Sequence, residues 1–150
     1  MRRLILFLAS NAGLGFSPWA PGTVGTLAGL PVFFLLADLT PAAYLLFWSL
    51  LLILACGVCH RAGLILGIAD DGRIVIDELV GYLVTVAFLP FSWTAALLGF
   101  IFFRLFDIAK VFPASWLDRR MKNGIGVVLD DVVAGLYGAV ALRICLALLG

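Results

Sequence analysis

The chain has 150 residues, of which 64% are hydrophobic and 13% charged, with a formal net charge of +1 and a mean hydropathy of +1.17. A soluble domain has about a quarter of its residues charged, so this is the composition of an integral membrane protein. A near-neutral chain without basic runs interleaved with aromatics has no field to draw nucleic acid, which excludes that class of partner. At roughly 20 residues per crossing, about four to six transmembrane helices fit. No polar stretch is long enough for a second soluble domain, so residues 1–150 are read as one all-α, membrane-embedded helical bundle.

The start, MRRLILFLASNA, has the charge, apolar core and small residues of a short signal peptide. Its core from Leu4 to Ala9 is very short, however, and a short N-terminal helix at the interface, with Arg2 and Arg3 facing the cytoplasm, is the better reading. The Pro/Gly-rich loop Ser17-Pro-Trp-Ala-Pro-Gly-Thr-Val-Gly-Thr26 follows. Pro21 and Gly22 restrain its turn. Free backbone N–H groups at the next helix start, with the Thr23 and Thr26 hydroxyls, would form an anion pocket. On the segment alone, a helix-start turn with a Gly25/Gly29 packing face is the simpler account.

Apolar runs then predict about five crossings, near 23–37, 41–59, 77–89, 93–110 and 130–149. Several are shorter than a full span, which tilt or local thinning accommodates. Connections 38–40 and 90–92 hold one acid and no base, whereas 60–76 and 111–129 hold Arg61, Arg73, Arg119, Arg120 and Lys122. The positive-inside rule therefore predicts a cytoplasmic N-terminus, two cytoplasmic loops and an outward C-terminus. Arg143 is the exception; near the outer end of the last run, it is expected to snorkel and to serve packing. Nothing repeats in the manner of a transporter built from two halves.

Seven of the nine carboxylates, Asp70, Asp71, Asp77, Glu78, Asp107, Asp130 and Asp131, stand where an apolar run begins or ends. The topology assigned from Lys and Arg alone places all seven on one membrane face. Asp77-Glu78 and Asp130-Asp131 are positioned to open helices and meet their positive ends. Capping explains one such pair; two pairs and Asp107 exceed what caps need. In Arg104-Leu-Phe-Asp107-Ile-Ala-Lys110, steps of three put a cation, an acid and a cation on one helical face. That stripe is either an internal salt-bridge ladder or a phosphate clamp beside a metal ligand. Ionisable groups beside membrane segments read as functional by default, and paired carboxylates suit a hard cation such as Mg²⁺.

Other chemistries fall away. Cys56-Gly-Val-Cys59-His60 matches a c-type haem attachment string, but its place at the inner end of a crossing and its apolar surroundings favour packing thiols. No second Cys/His pair completes a zinc site, and Cys145 makes an odd third cysteine, so no disulfide framework is implied. With one histidine and no G-x-S-x-G elbow, little room is left for a Ser-His-Asp triad. Metal-and-carboxylate chemistry remains.

Four blocks now carry a resemblance: Ser17-Pro18 with Pro21-Gly22-Thr23 and Gly25-Thr26; Ile74 to Gly81; Phe103 to Lys110 with Pro113; and Gly124 to Leu129 continuing through Asp130-Asp131 to Gly135. In this order, across nearly the whole chain, they resemble the phosphatidylglycerophosphatase A family. The sequence departs from the family pattern at Ile76, Val111-Phe112, Asn123 and after Asp70, none of which removes a charged member of the site. The resemblance implies a Mg²⁺-dependent phosphatase of the bacterial inner membrane that converts phosphatidylglycerol phosphate to phosphatidylglycerol and inorganic phosphate. One to two Mg²⁺ ions would then be held by Asp77, Glu78, Asp107, Asp130 and Asp131, with Asp70 adjoining. Arg104, Lys110, Thr23 and Thr26 would hold phosphate oxygens, and His60 is a candidate proton donor. The residues leave two routes open, an aspartyl nucleophile and a metal-activated water. The rival is an ion or metal transporter with an acidic transit site, which would carry charge towards mid-membrane or on both faces; a purely structural subunit would show no turnover.

Overall fold

Side-chain caps set where the two longest helices start. The Thr40 hydroxyl accepts from the Ala43 amide at 3.3 Å, and Pro41 occupies the first position of a helix that runs unbroken to Leu66, where Gly67 turns left-handed (φ 80°). The Asn123 side chain accepts from the Ile125 and Gly126 amides at 3.1 and 3.0 Å and starts the last helix at Gly124. The computed structural model describes residues 1–150, apart from the side chain of Asp118. Its helices are α1 (Arg2–Ala9), α2 (Pro21–Leu27), α3 (Gly29–Leu36), α4 (Pro41–Leu66), α5 (Ile76–Thr85), α6 (Trp93–Ala109), α7 (Ala114–Arg120) and α8 (Gly124–Leu149), with a 3₁₀ turn at Leu14–Phe16. No strand occurs among the described residues.

The all-helical reading holds, but five crossings do not emerge. Among the described residues only α4 and α8, 26 residues each, are long and apolar enough to span a membrane by themselves, at about 39 Å apiece for a 1.5 Å rise per residue. Helix α5 has 10 residues, about 15 Å, because its last turn closes at Val86 well short of the run's end at Leu89. Helices α2 and α3 are nearly continuous through Ala28 (φ −59°, ψ −23°) yet remain short. An apolar composition reports that a segment can be buried in lipid or in the bundle; it does not report helix length.

Helix α8 is the hub, packed on α4, α5, α6 and α7. Its closest neighbour is α5, and two glycines permit the approach. A Cβ at Gly81 would strike the Asp131 carbonyl, and one at Gly135 would strike the Gly81 carbonyl. The buried Thr85 hydroxyl donates to the Gly135 carbonyl at 3.2 Å, tying the same pair. The core around this contact holds Phe33, Tyr82, Leu83, Phe103 and Leu142, and a second cluster joins Ala9, Ala55, Cys59, Val80 and Val128. Buried backbone acceptors are met from the side: Tyr44 donates to the Leu83 carbonyl at 2.6 Å, Trp48 to Val80 at 3.2 Å and Tyr82 to Ala96 at 3.1 Å. Outward faces are apolar instead, with Leu46, Leu50 and Ile53 on α4 and Leu136, Val140 and Ile144 on α8 all exposed, the pattern of helices that meet lipid.

The N-terminal segment folds back on the site's scaffold. The Val75 amide donates to the Ala9 carbonyl at 2.8 Å. The Asn11 side-chain amide donates to the Val75 carbonyl at 2.8 Å and lies 3.3 Å from that of Gly25. One asparagine thus ties the start of α5 to α2. At the opposite end, the Arg143 guanidinium binds the carbonyls of Ala87 (2.7 Å) and Ala139 (3.2 Å), bracing the end of α5 as the expected packing role requires.

Candidate active site

Five pieces of chain converge at one end of the bundle: the turn into α2, the connection from α4 to α5, the first turn of α5, the last turns of α6 and the second turn of α8. They enclose a cavity of about 310 Å³ lined by Asp70, Asp77, Glu78, Asp107, Asp130 and Asp131, with Arg104 and Lys110 as its cations and Ala20, Pro21 and Gly22 forming part of its wall. Every carboxylate expected to form the site lines it. Asp71 does not; it turns aside to pair with Arg73 at 2.7 Å. That guanidinium holds the Asp71 carboxyl below the usual carboxylate range.

The acidic pairs are not equivalent. Asp77 and Glu78 do open a helix, and the Asp77 carboxylate accepts from the Glu78 amide at 3.0 Å. Asp130 and Asp131 were expected to open one as well, but Asn123 starts α8 six residues earlier, so they sit inside the helix. Capping therefore cannot explain them. Asp77 and Asp131 are 4% and 5% exposed, and neither forms an ion pair among the described residues. Buried carboxylates without a cation partner are costly, so this end of the molecule carries an excess of acid that its fold alone does not balance.

The cations bridge elements, and one rung of the expected in-helix ladder, Arg104 to Asp107, forms beside those bridges. Arg104 binds Asp107 on its own helix and reaches Glu78 on α5, its Nη1 lying 3.3 Å from Oε1. Its Nε is buried without an acceptor among the described residues. Helix α6 ends at Ala109, and Lys110, left-handed at φ 43°, swings its ammonium to Asp130 on α8 at 2.9 Å. With these cations among the acids, no three or more His, Cys, Asp or Glu side chains of the described residues stand as a ready metal cluster. The donors themselves, all carboxylate oxygens, are of the kind that a hard divalent ion takes.

The glycine-rich turn contributes differently from expectation. Gly22 lies so close that a Cβ there would run into the Glu78 carboxylate and crowd the Arg104 guanidinium. Ala20 takes a left-handed conformation (φ 42°) beside it. Thr23 lies off the cavity wall. Thr26, expected to donate to phosphate, is fully buried behind Glu78, its hydroxyl 2.8 Å from Glu78 Oε2 and 2.8 Å from the Gly22 carbonyl. A hydroxyl has one proton to donate, and both neighbours are acceptors, so Thr26 holds a site carboxylate and its turn in place. Supporting contacts of this kind are typically worth about 10- to 100-fold; we expect Thr26→Val to lower turnover by that factor and Thr26→Ser to restore most of it, measured as phosphate release per folded molecule. His60 lies outside the acidic cavity, exposed beside Lys122 and Asn123, and Cys56, Cys59 and Cys145 are free thiols.

A family model described as phosphatidylglycerophosphatase A matches residues 7–146. The chain belongs to the phosphatidylglycerophosphatase A family. It is 38% identical over 135 residues to Escherichia coli phosphatidylglycerophosphatase A, covering 88% of this chain and 77% of that one. It is 39% identical over 138 residues to the Haemophilus influenzae protein of the same name, covering 91% and 85%. A Bacteroides thetaiotaomicron protein with the provisional name phosphatidylinositol-3-phosphatase is 30% identical over 155 residues, covering 98% and 96%. No solved structure matches the chain. As a member of the phosphatidylglycerophosphatase A family the chain is an enzyme, a phosphoric monoester hydrolase.

Proposed function

We propose that the chain is a Mg²⁺-dependent lipid phosphatase that hydrolyses phosphatidylglycerol phosphate to phosphatidylglycerol and inorganic phosphate at the cytoplasmic face of a bacterial inner membrane, which it crosses more than once. One observation carries the reading: six carboxylates and two cations share a single 310 Å³ cavity at one end of the bundle. A transit site would carry charge through the bundle. Here the interior beyond the cavity is apolar, with Phe103, Leu83 and Leu142 fully buried.

Asp77, Glu78, Asp107, Asp130 and Asp131 are the residues that would hold one or two Mg²⁺ ions, and the uncompensated Asp77 and Asp131 fit a cation best. Bound there, Mg²⁺ supplies charge neutralisation for the phosphate and lowers the pKa of water. The chain's own groups do the rest. Arg104 and Lys110 exchange carboxylate partners for phosphate oxygens, and the buried Arg104 Nε offers a donor that no group among the described residues uses. Pro21 and Gly22 close the cavity over the headgroup, where excluding water strengthens each of these contacts. Substrate tails would remain in the lipid beside the bundle, leaving only the phosphomonoester to enter.

Purified protein should release inorganic phosphate from phosphatidylglycerol phosphate in mixed micelles with Mg²⁺. A transporter or a structural subunit would release none. For the orientation, reporter fusions within 67–75 and 111–123 should give cytoplasmic signals and a fusion after residue 150 a periplasmic one; a periplasmic signal from either basic segment contradicts the cytoplasmic site.

A further inference from the structure

A second and larger cavity, about 510 Å³, lies between α4, α5 and α8 and takes no part in the acidic site. Its walls come from the first turns of α4 (Tyr44, Trp48), the residues just beyond α5 (Ala87, Phe88) and the α8 stripe that includes Leu136. Among the described residues Arg143 is the one charged side chain lining it. Along α8, Arg143 is twelve residues past Asp131, about 18 Å at 1.5 Å per residue, so the guanidinium lies far from the acidic site, at the other end of a cavity that reaches back along α8 to Val132. The Arg143 guanidinium is exposed and held over this cavity by the Ala87 and Ala139 carbonyls, which engage two of its five N–H donors.

We propose that this cavity binds an acidic glycerophospholipid of the leaflet opposite the carboxylate site, one acyl chain lying between α4, α5 and α8 and the phosphodiester meeting Arg143. The match is one of charge and shape together. An apolar slot ending in a guanidinium complements an amphiphile with an apolar tail and an anionic head. A helix from a second copy would fill the slot without needing a cation at its rim. The inference rests on the membrane placement of α4 and α8 and is independent of which phosphomonoester the enzyme hydrolyses.

Trp48 is a reporter inside the slot, half-buried and fixed by its bond to the Val80 carbonyl. Of the four tryptophans, Trp19, Trp93 and Trp116 are replaced by Phe, and the protein is reconstituted in phosphatidylcholine vesicles containing either brominated phosphatidylserine or brominated phosphatidylcholine. Phosphatidylserine is neither a phosphomonoester nor the product, so the acidic cavity does not compete for it. A tail in the slot quenches Trp48. One basic side chain near the membrane surface is worth about 1 kcal/mol towards an anionic lipid, so the brominated phosphatidylserine should be preferred about fivefold. Arg143→Gln should abolish that preference and Arg143→Lys should retain it. Equal quenching by the two lipids with Arg143 present would overturn the proposal, as would no quenching by either, the result expected if a second copy covers the slot.

Discussion

Asp131→Asn and Asp77→Asn each lower phosphate release from phosphatidylglycerol phosphate by about two to three orders of magnitude, the loss typical when one preorganised electrostatic partner of a reacting group is removed. The same substitutions leave the folded yield unchanged or raise it. Both carboxylates are buried and neither has an ion-pair partner among the described residues. In the protein alone they are therefore a burden, which an uncharged amide relieves. Opposite signs in activity and stability separate a site carboxylate from a structural one. Turnover per folded molecule and the thermal midpoint, measured on one preparation, check this. A fall in both together would make the pair structural.

Arg104→Met carries the second large effect, here on folding and binding together. Its guanidinium serves Glu78 and Asp107, whose side chains are 13% and 14% exposed, and removing one member of a buried charge pair costs about 3 to 5 kcal/mol. Lys110, 34% exposed and paired with Asp130, should cost less when changed to Met. Arg104→Lys should restore part of the folded yield but little of the affinity for inorganic phosphate, because a point charge does not replace a planar fork that reaches two elements. Combining Arg104→Met with Glu78→Gln and Asp107→Asn removes the orphaned charges. Folding should then recover while phosphate binding stays lost. Recovery of phosphate binding in that triple variant would take Arg104 out of the substrate site.

The acidic end of the molecule was legible because charge in an apolar chain is conspicuous. Asp77, Glu78, Asp107, Asp130 and Asp131, with Arg104 and Lys110, could be grouped by their positions alone, and the structure brings all of them to one cavity. The register of α8 was not legible. Gly124 to Leu129 carries no charge to mark a helix start, and the decisive signal, the Asn123 cap, is a single residue. Reading the pair Asp130-Asp131 as a helix start therefore made two buried carboxylates look like caps. The number of crossings is not settled by composition for a related reason, since hydropathy measures what tolerates burial, and among the described residues α4 and α8 are the helices long enough to span by themselves. Asn11 could not be placed at all, and Thr26 was assigned to phosphate instead of to a carboxylate: their partners, Val75 and Glu78, lie 64 and 52 residues away, a distance at which local pattern carries no information.

The acidic cavity is the proposed meeting place of Mg²⁺ and the phosphomonoester. Equilibrium Mg²⁺ binding to the purified protein, followed by phosphate release on the same sample as Mg²⁺ is added back after chelation, addresses this directly. Stoichiometric binding that is lost in the Asp77→Asn, Asp131→Asn double variant, with turnover rising in step with occupancy in the unsubstituted protein, is the expected result. Full turnover in chelator, or unchanged Mg²⁺ binding in the double variant, would contradict it.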